Sequence, residues 1–294
     1  MRDEDCIPRM RALRLLCTFL AVAVVTGCTT IPFSSTAERD VTLAPYRDKK
    51  IGDAPLEWFL KLRTGIVVAN TELTFDYAGE STLNFHVSNK ETSHSGCAAA
   101  IDSRGYFLTA AHVVRDGPIT VFFHDGKDVQ HRTARLVWLG DNAPGKPDLA
   151  LLHIDASLPH IFAWSQNNQA GNVVFASGLN YDPKNKAPVF ILSIVAGRLL
   201  TVPASAPTPD QTCNFSSDLP LHQGDSGGPL VDTNGRLLGI NGVVKYNFLK
   251  SLGLPGKLTC YAIRPDTVWL DQLIETDFAS QRSATPDSTR KARD

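Results

Sequence analysis

The stretch Gly224-Asp225-Ser226-Gly227-Gly228-Pro229-Leu230 sets a serine among glycines directly ahead of an apolar run. Glycine takes backbone angles closed to other residues, so the chain can turn tightly around Ser226. A serine hydroxyl is a weak nucleophile at neutral pH. It acts when a base lies within hydrogen-bond reach and a third group orients that base. Two upstream segments supply those residue types. Leu108-Thr109-Ala110-Ala111-His112-Val113-Val114 places a histidine on an apolar run, and imidazole takes up and releases protons near neutral pH. Pro147-Asp148-Leu149-Ala150-Leu151-Leu152 places a carboxylate at the head of another, suited to hold the second ring nitrogen. The N–H groups of Gly224 and Ser226 would then face the developing oxyanion, where loss of one donor costs about 10²–10³ in rate.

Each residue alone has an ordinary structural reading: His112 as a core histidine, Asp148 as a strand-start cap, Gly224–Pro229 as a turn. Together, each beside an apolar strand, they point to acyl transfer. Asp141 and Asp155 are rival third members, but neither heads a comparable Asp-Leu-Ala-Leu-Leu run. Gly224-Asp225-Ser226-Gly227-Gly228 also satisfies the Gly-x-Ser-x-Gly elbow of α/β-hydrolases, a fold that places its histidine after the serine. All eight histidines precede Ser226, so chain order excludes that fold.

In the order His112, Asp148, Ser226 the three segments resemble the trypsin-like (chymotrypsin-fold) serine peptidases, over about Thr64 to Leu273. The resemblance implies two six-stranded antiparallel β-barrels with the site in the cleft between them. Val113 after His112, Asp218 ahead of the serine loop, and Gly239-Ile240-Asn241 after it resemble the bacterial HtrA-like (Deg) subgroup. The short stretch after Ser226, much of it needed for the last strand and helix, leads us to expect a peptidase domain without a PDZ domain.

The rest of the chain agrees with an all-β class. Short runs such as Gly65–Ala69, Leu83–Val87, Cys97–Ile101, Tyr106–Ala110, Ile119–Phe123, Arg135–Leu139 and Leu149–Ile154 alternate with turn residues. Val173–Ala176, Val189–Leu200, Leu237–Val244 and Leu258–Ile263 continue the pattern, as expected of a sandwich or barrel. Barrel one is expected over about 64–160 and barrel two over about 161–276. Pro55–Leu62 reads as a short helix, and Thr267–Thr276 carries helical spacing at Val268, Leu270 and Leu273. The 277–294 stretch reads as a disordered tail.

With 294 residues, 43% hydrophobic and 20% charged, the chain can build a full core. Lys plus Arg (29) and Asp plus Glu (30) nearly cancel, which excludes the basic field of a non-specific nucleic-acid binder. No Cys-x-x-Cys or Cys/His pattern supports a structural metal site, and the chemistry above calls for neither metal nor cofactor.

The N-terminus reads as an address. Basic residues from Arg9 to Arg14 precede the apolar run Leu15–Val25, too short to span a membrane. The acids Asp3, Glu4 and Asp5 suit a signal poorly, and Met10 offers a cleaner start. Val25-Thr26-Gly27-Cys28 resembles the lipobox of bacterial lipoproteins, which implies a signal over 1–27, diacylation of Cys28, and a tether with a short helix over 28–63. Thr29, where an Asp would mark inner-membrane retention, favours the outer membrane. A bacterial cell-envelope location and attachment to a membrane through the lipid follow. Export to an oxidising compartment leaves Cys97, Cys213 and Cys260 for pairing.

Further expectations come with the peptidase resemblance. Cys213 falls in a segment that pairs with the last barrel strand in this fold, and Cys260 falls in that strand, implying a Cys213–Cys260 disulfide with Cys97 free. Pro220 falls near the base of the substrate pocket, with Asn241, Gly242 and Val243 on its wall. No acid stands where basic-specific members carry one, so a small or aliphatic residue before the scissile bond is expected. Gly242 takes a place where many relatives carry a hydroxyl supporting the catalytic carboxylate. In animal relatives the residue matching Asp225 pairs with an N-terminus freed by zymogen cleavage. No Ile-Val-Gly-Gly-like sequence exists here, so Asp225 should find another partner or be solvated, without proteolytic activation. The expected activity is serine endopeptidase action on proteins or peptides; the alternative is an inactive peptidase-like lipoprotein serving as a binding module.

Overall fold

The short apolar runs become strands, and the strands close into two barrels. The computed structural model describes residues 36–69, 73–77, 83–87, 94–114, 117–140, 147–166, 168–179, 192–205, 212–222, 224–246 and 258–284. The expected signal over 1–27 and Cys28 lie outside the described residues.

The chain enters through helix α1 (Thr36–Leu43), a 3-10 turn (Ala44–Tyr46), the small ladder β1 (Lys50–Ile51) and β2 (Ala54–Pro55), and helix α2 (Leu56–Lys61). Barrel one is built from β3 (Thr64–Ala69), β6 (His94–Asp102), β7 (Tyr106–Thr109), β8 (Ile119–His124), β9 (Val129–Leu139) and β10 (Ala150–Ile154). Between β3 and β6, strands β4 (Leu73–Tyr77) and β5 (Leu83–Val87) pair as a separate hairpin. Barrel two is built from β11 (Val173–Leu179), β12 (Leu192–Thr201), β13 (Thr212–Ser217), β14 (Pro229–Val231), β15 (Leu237–Tyr246) and β16 (Leu258–Pro265), and helix α3 (Thr267–Ala284) follows. All the ladders are antiparallel. Lettering the strands a to f in chain order, both barrels close in the same cycle, a-b-c-f-e-d. This is the chymotrypsin-like double barrel. Closure leaves no long unpaired edge in either half.

Each barrel has its own interior. Val67, Val121, Phe107 and Leu152 fill the first, and Val174, Phe215, Leu230 and Leu238 the second. A third apolar cluster joins them: Leu108 and Leu151 from barrel one meet Phe175, Ile240 and Ile263 from barrel two. Leu56 and Leu60 of α2 and Leu270 and Ile274 of α3 cover it. This shared core fixes one barrel against the other, and so fixes any site built from both.

Three expectations need correction. The segment read as a tether over 28–63 contains α1, whose Arg39 is buried. The tail read as disordered from 277 is helical to Ala284. Asp277 accepts hydrogen bonds from Arg135 at 2.6 and 2.9 Å and from the Tyr106 hydroxyl at 2.8 Å, tying this last part of α3 to barrel one.

The third correction concerns the disulfide. Cys213 and Cys260 do lie on neighbouring strands, but the register sets Cys213 opposite Arg264 and Cys260 opposite Ser217. An offset of four positions at about 3.4 Å per residue far exceeds the roughly 7 Å limit between bridged Cα atoms. Neither is in a disulfide, and both are buried, as is Cys97; the Cys260 thiol donates to the Leu219 carbonyl at 2.9 Å. Alkylation of the denatured, unreduced protein followed by peptide mapping is expected to find Cys213 and Cys260 each singly alkylated. A Cys213–Cys260 linked peptide would contradict this register.

Candidate active site

β7 and β10 are neighbours, with Thr109 opposite Ala150. Because they run antiparallel, the residues just after β7 and just before β10 emerge at the same end of barrel one. His112 sits on a single 3-10 turn after β7 (Ala111–Val113), and Asp148 lies two residues before β10. The carboxylate engages His112 twice. The His112 backbone N–H donates to Oδ1 at 3.0 Å, and the ring Nδ1 donates to Oδ2 at 2.7 Å. The Asp148 side chain is 7% exposed and the His112 ring 30%, so the pair is buried on one side and open on the other. Burial pushes the Asp148 carboxyl up. The hydrogen bond and charge of His112, with backbone N–H groups of His112 and Ala111, outweigh that and hold it below the usual carboxylate range. The acceptor is therefore an anion at neutral pH, the proton resides on Nδ1, and Nε2 is the nitrogen left for proton transfer.

Ser226 stands on the turn leading into β14. Gly224 and Gly227 take φ of +96° and +83°, which other residues rarely adopt. Gly227 has a second constraint: a Cβ there would lie 2.0 Å from the Cys97 carbonyl oxygen. The turn is clamped from both barrels. The Gly227 N–H donates to the Asn241 carbonyl at 2.7 Å, the Asn241 N–H to the Gly228 carbonyl at 2.9 Å, and the Cys97 N–H on β6 to the Ser226 carbonyl at 2.7 Å. Among the described residues no backbone carbonyl takes the N–H of Gly224 or Ser226, the two donors expected to serve an oxyanion.

Gly242 connects the two halves. The β15–β16 ladder shifts register between Asn241 and Val243, setting Gly242 out of the pairing. Its carbonyl accepts the Ser226 hydroxyl at 3.4 Å, and a Cβ built on it would stand 3.3 Å from Asp148 Oδ2. Serine and carboxylate thus flank the same residue. A hydroxyl at this position would reach Asp148. Gly242→Ser is expected to stabilise the fold by about 1 kcal/mol, read as a raised urea midpoint, with Gly242→Ala showing no such gain.

Residues 95–240 match the model of the trypsin-like peptidase domain. The curated relatives agree. The chain is 32% identical over 149 residues to a probable periplasmic serine endoprotease, DegP-like, of Chlamydia trachomatis, covering 50% of this chain and 27% of that one. It is 30% identical over 167 residues to the serine protease Do-like HtrA of Bacillus subtilis, covering 52% and 34%. The alignments thus span about a third of those relatives. The crystal structure of the serine endoprotease from Yersinia pestis aligns with 74% of this chain and 64% of that one, at 22% identity and a TM-score of 0.47.

Of the expected pocket residues, Pro220 is buried, and Val243 is 44% exposed beyond the register shift. Asn241 is buried and its amide donates to the Pro229 carbonyl at 3.3 Å, so it offers the pocket wall only backbone.

Asp225 lies within the trypsin-like match; its partner does not. Arg39 on α1 reaches it with Nη2 at 2.9 Å from Oδ2, and Arg39 Nη1 contacts His222 Nε2. The same Oδ2 accepts the His222 backbone N–H at 2.8 Å. Burial pushes the Asp225 carboxyl up, against the pull of Arg39 and His222. Cys97, expected in the sequence as the unpaired thiol, is a second neighbour that the sequence did not place beside the serine turn. Its thiol donates to the Gly224 carbonyl at 3.3 Å, and burial raises its pKa far above that of an ordinary cysteine. It packs behind the turn as an inert thiol. Arg39 carried no motif and stood in a polar segment; its only sequence signal is the demand of Asp225 for a cation.

Proposed function

We propose that this chain is a serine endopeptidase of the bacterial cell envelope, acting through His112, Asp148 and Ser226 and held to a membrane by lipid on Cys28. The two-point grip of Asp148 on His112, with Ser226 joined to the same corner through Gly242, carries this reading. Similarity to probable periplasmic DegP-like serine endoproteases supports the reaction class and the compartment.

In the proposed reaction the Ser226 hydroxyl leaves the Gly242 carbonyl by rotation of its side chain and turns to His112 Nε2. Oγ attacks the scissile carbonyl carbon while Nε2 takes the hydroxyl proton. Asp148 holds the imidazolium that results, and the carbonyl oxygen, now an oxyanion, accepts the N–H groups of Gly224 and Ser226. His112 returns the proton to the leaving amine, and the acyl group remains on Oγ. Water then enters; its oxygen bonds to the acyl carbon as its proton passes to Nε2, the bond from that carbon to Ser226 Oγ breaks, and Oγ takes the proton back from Nε2 as the acyl group leaves as an acid. No metal or cofactor takes part. The pocket over Pro220, walled by Gly242, Val243 and the Asn241 backbone, favours a small or aliphatic side chain before the scissile bond.

Two measurements test this. A fluorophosphonate probe should label the folded wild-type protein at Ser226, and a peptide library should be cut after small or aliphatic residues. A folded protein that takes no label at neutral pH and cuts no peptide would instead be a peptidase-like binding module. Metabolic labelling with a fatty-acid analogue, lost on Cys28→Ala, tests the anchor.

A further inference from the structure

We propose that Arg39 is a positioning residue for the Gly224–Ser226 turn, delivered by helix α1: by gripping Asp225 and His222 together it holds the oxyanion-facing N–H groups in place. The inference rests on the peptidase reading above and adds a part of the machinery that lies outside the trypsin-like match.

The Arg39 and Asp225 side chains are 3% and 1% exposed. Charges that deep persist only when paired and hydrogen-bonded. Among the described residues Arg39 is the only Arg or Lys within ion-pair distance of Asp225. Its guanidinium is a planar fork, and the fork is used twice, one arm on Asp225 and the other on His222. Those two residues bracket the approach to Gly224. They are also tied to each other: the Asp225 N–H donates to the His222 carbonyl at 3.2 Å, and the His222 N–H donates to Asp225 Oδ2 at 2.8 Å. One cation therefore closes the turn that presents Gly224 and Ser226.

The other carboxylate oxygen shows how tightly the group is seated. Among the described residues Asp225 Oδ1 has no hydrogen-bond partner, and it lies against β11, where a Cβ on Gly178 would stand 1.7 Å from it. With β11 on one side, and with His222, the other group within ion-pair distance among the described residues, itself held by Arg39, removal of Arg39 loosens both of the groups that face Asp225. If Arg39 is removed, the carboxylate must move toward water or take a proton, and either change shifts the peptide units on both sides of it. Those units include the Ser226 N–H. Arg39 itself does not touch the site where substrate would react, so its loss should act on the chemical step and spare binding.

The full-length protein tests this with Arg39→Ala. Against a peptide cut by the wild type, kcat is expected to fall about 10²–10³-fold, the scale of a lost oxyanion donor, with KM changed less than about threefold. Guanidinium ion at millimolar concentration, filling the vacated space, is expected to restore part of kcat in this variant and to leave the wild type unchanged. Should Arg39→Ala fail to fold, Arg39→Lys decides: a single ammonium cannot serve both partners of a forked contact, and kcat is expected at least about tenfold down in a folded protein. Wild-type kcat in a folded Arg39→Ala, or in Arg39→Lys where the alanine variant does not fold, overturns the proposal. A wild-type protein that takes no fluorophosphonate overturns the peptidase reading itself, and this inference with it.

Discussion

Ser226→Ala is expected to lower turnover by about 10⁴-fold or more, to abolish fluorophosphonate labelling, and to leave the fold unchanged. The separation of the two effects follows from how Ser226 is held. Its backbone is structural: the Ser226 carbonyl accepts the Cys97 N–H at 2.7 Å, bridging β14 and β6 across the two barrels. Its hydroxyl is not, since its bond to the Gly242 carbonyl is long, at 3.4 Å. Alanine keeps the former and deletes the latter. The urea midpoint should therefore correspond to a change within about 0.5 kcal/mol, as for substitutions that break no buried network. Turnover should fall to what the Gly224 and Ser226 N–H groups support alone. A folded Ser226→Ala that still cuts peptides within tenfold of the wild type would remove Ser226 from the reaction.

What was legible in the sequence was local, and what was not depended on register or on partners far along the chain. His112, Asp148 and the Ser226 turn each stand at the end of an apolar run, and runs of that kind must become paired strands whatever their partners. The structure gathers His112 and Asp148 because β7 and β10 are adjacent, a fact of barrel topology carried by the family resemblance rather than by either segment alone. The disulfide expectation failed at the next level of detail. That Cys213 and Cys260 lie on paired strands was readable; the offset of four positions was not, because register is set by the whole ladder from Thr212–Pro265 to Ser217–Cys260. The C-terminal helix was underestimated for a related reason. Its last turns are polar, and their hold on the fold comes from Asp277 meeting Arg135 and Tyr106, both more than 140 positions upstream. β13 has no apolar run to mark it, being half polar; it exists because β12 and β16 on either side complete its hydrogen bonds.

Arg39 is the sharpest case. In a polar stretch ahead of the barrels it looks like a solvated residue on a tether, and only a buried carboxylate 186 positions away gives it a task. The sequence did pose the question, since Asp225 sits beside Ser226 and calls for a partner. The answer lay in a helix whose docking on β12 no motif records.

Asp148→Asn is expected to cost about 10⁴-fold in kcat, although the two side chains are nearly the same shape. Asp148 accepts twice, from the His112 backbone N–H on Oδ1 and from the ring on Oδ2. An asparagine has one accepting oxygen. If that oxygen keeps the backbone N–H, the amide NH₂ faces Nδ1, and the ring must turn Nδ1 into an acceptor and carry its proton on Nε2. A protonated Nε2 on a neutral ring cannot take the proton of Ser226. If the oxygen instead keeps Nδ1–H, the backbone N–H of His112 meets an NH₂ and the turn carrying the ring is displaced. Either outcome removes the base from its working state without emptying the site. The same substitution has a pH signature in stability. The Asp148 carboxyl is held below its ordinary value in the folded protein. It therefore contributes stability in full above the unfolded carboxylate value of about 3.9, and loses it as pH falls through the lower folded value. The gap in urea midpoint between wild type and Asp148→Asn should be constant from pH 7 down to about pH 5 and close below about pH 4, because the amide does not titrate. A gap that persists undiminished at pH 2, or a variant whose kcat stays within tenfold of wild type, would mean that Asp148 does not orient His112 as an anion.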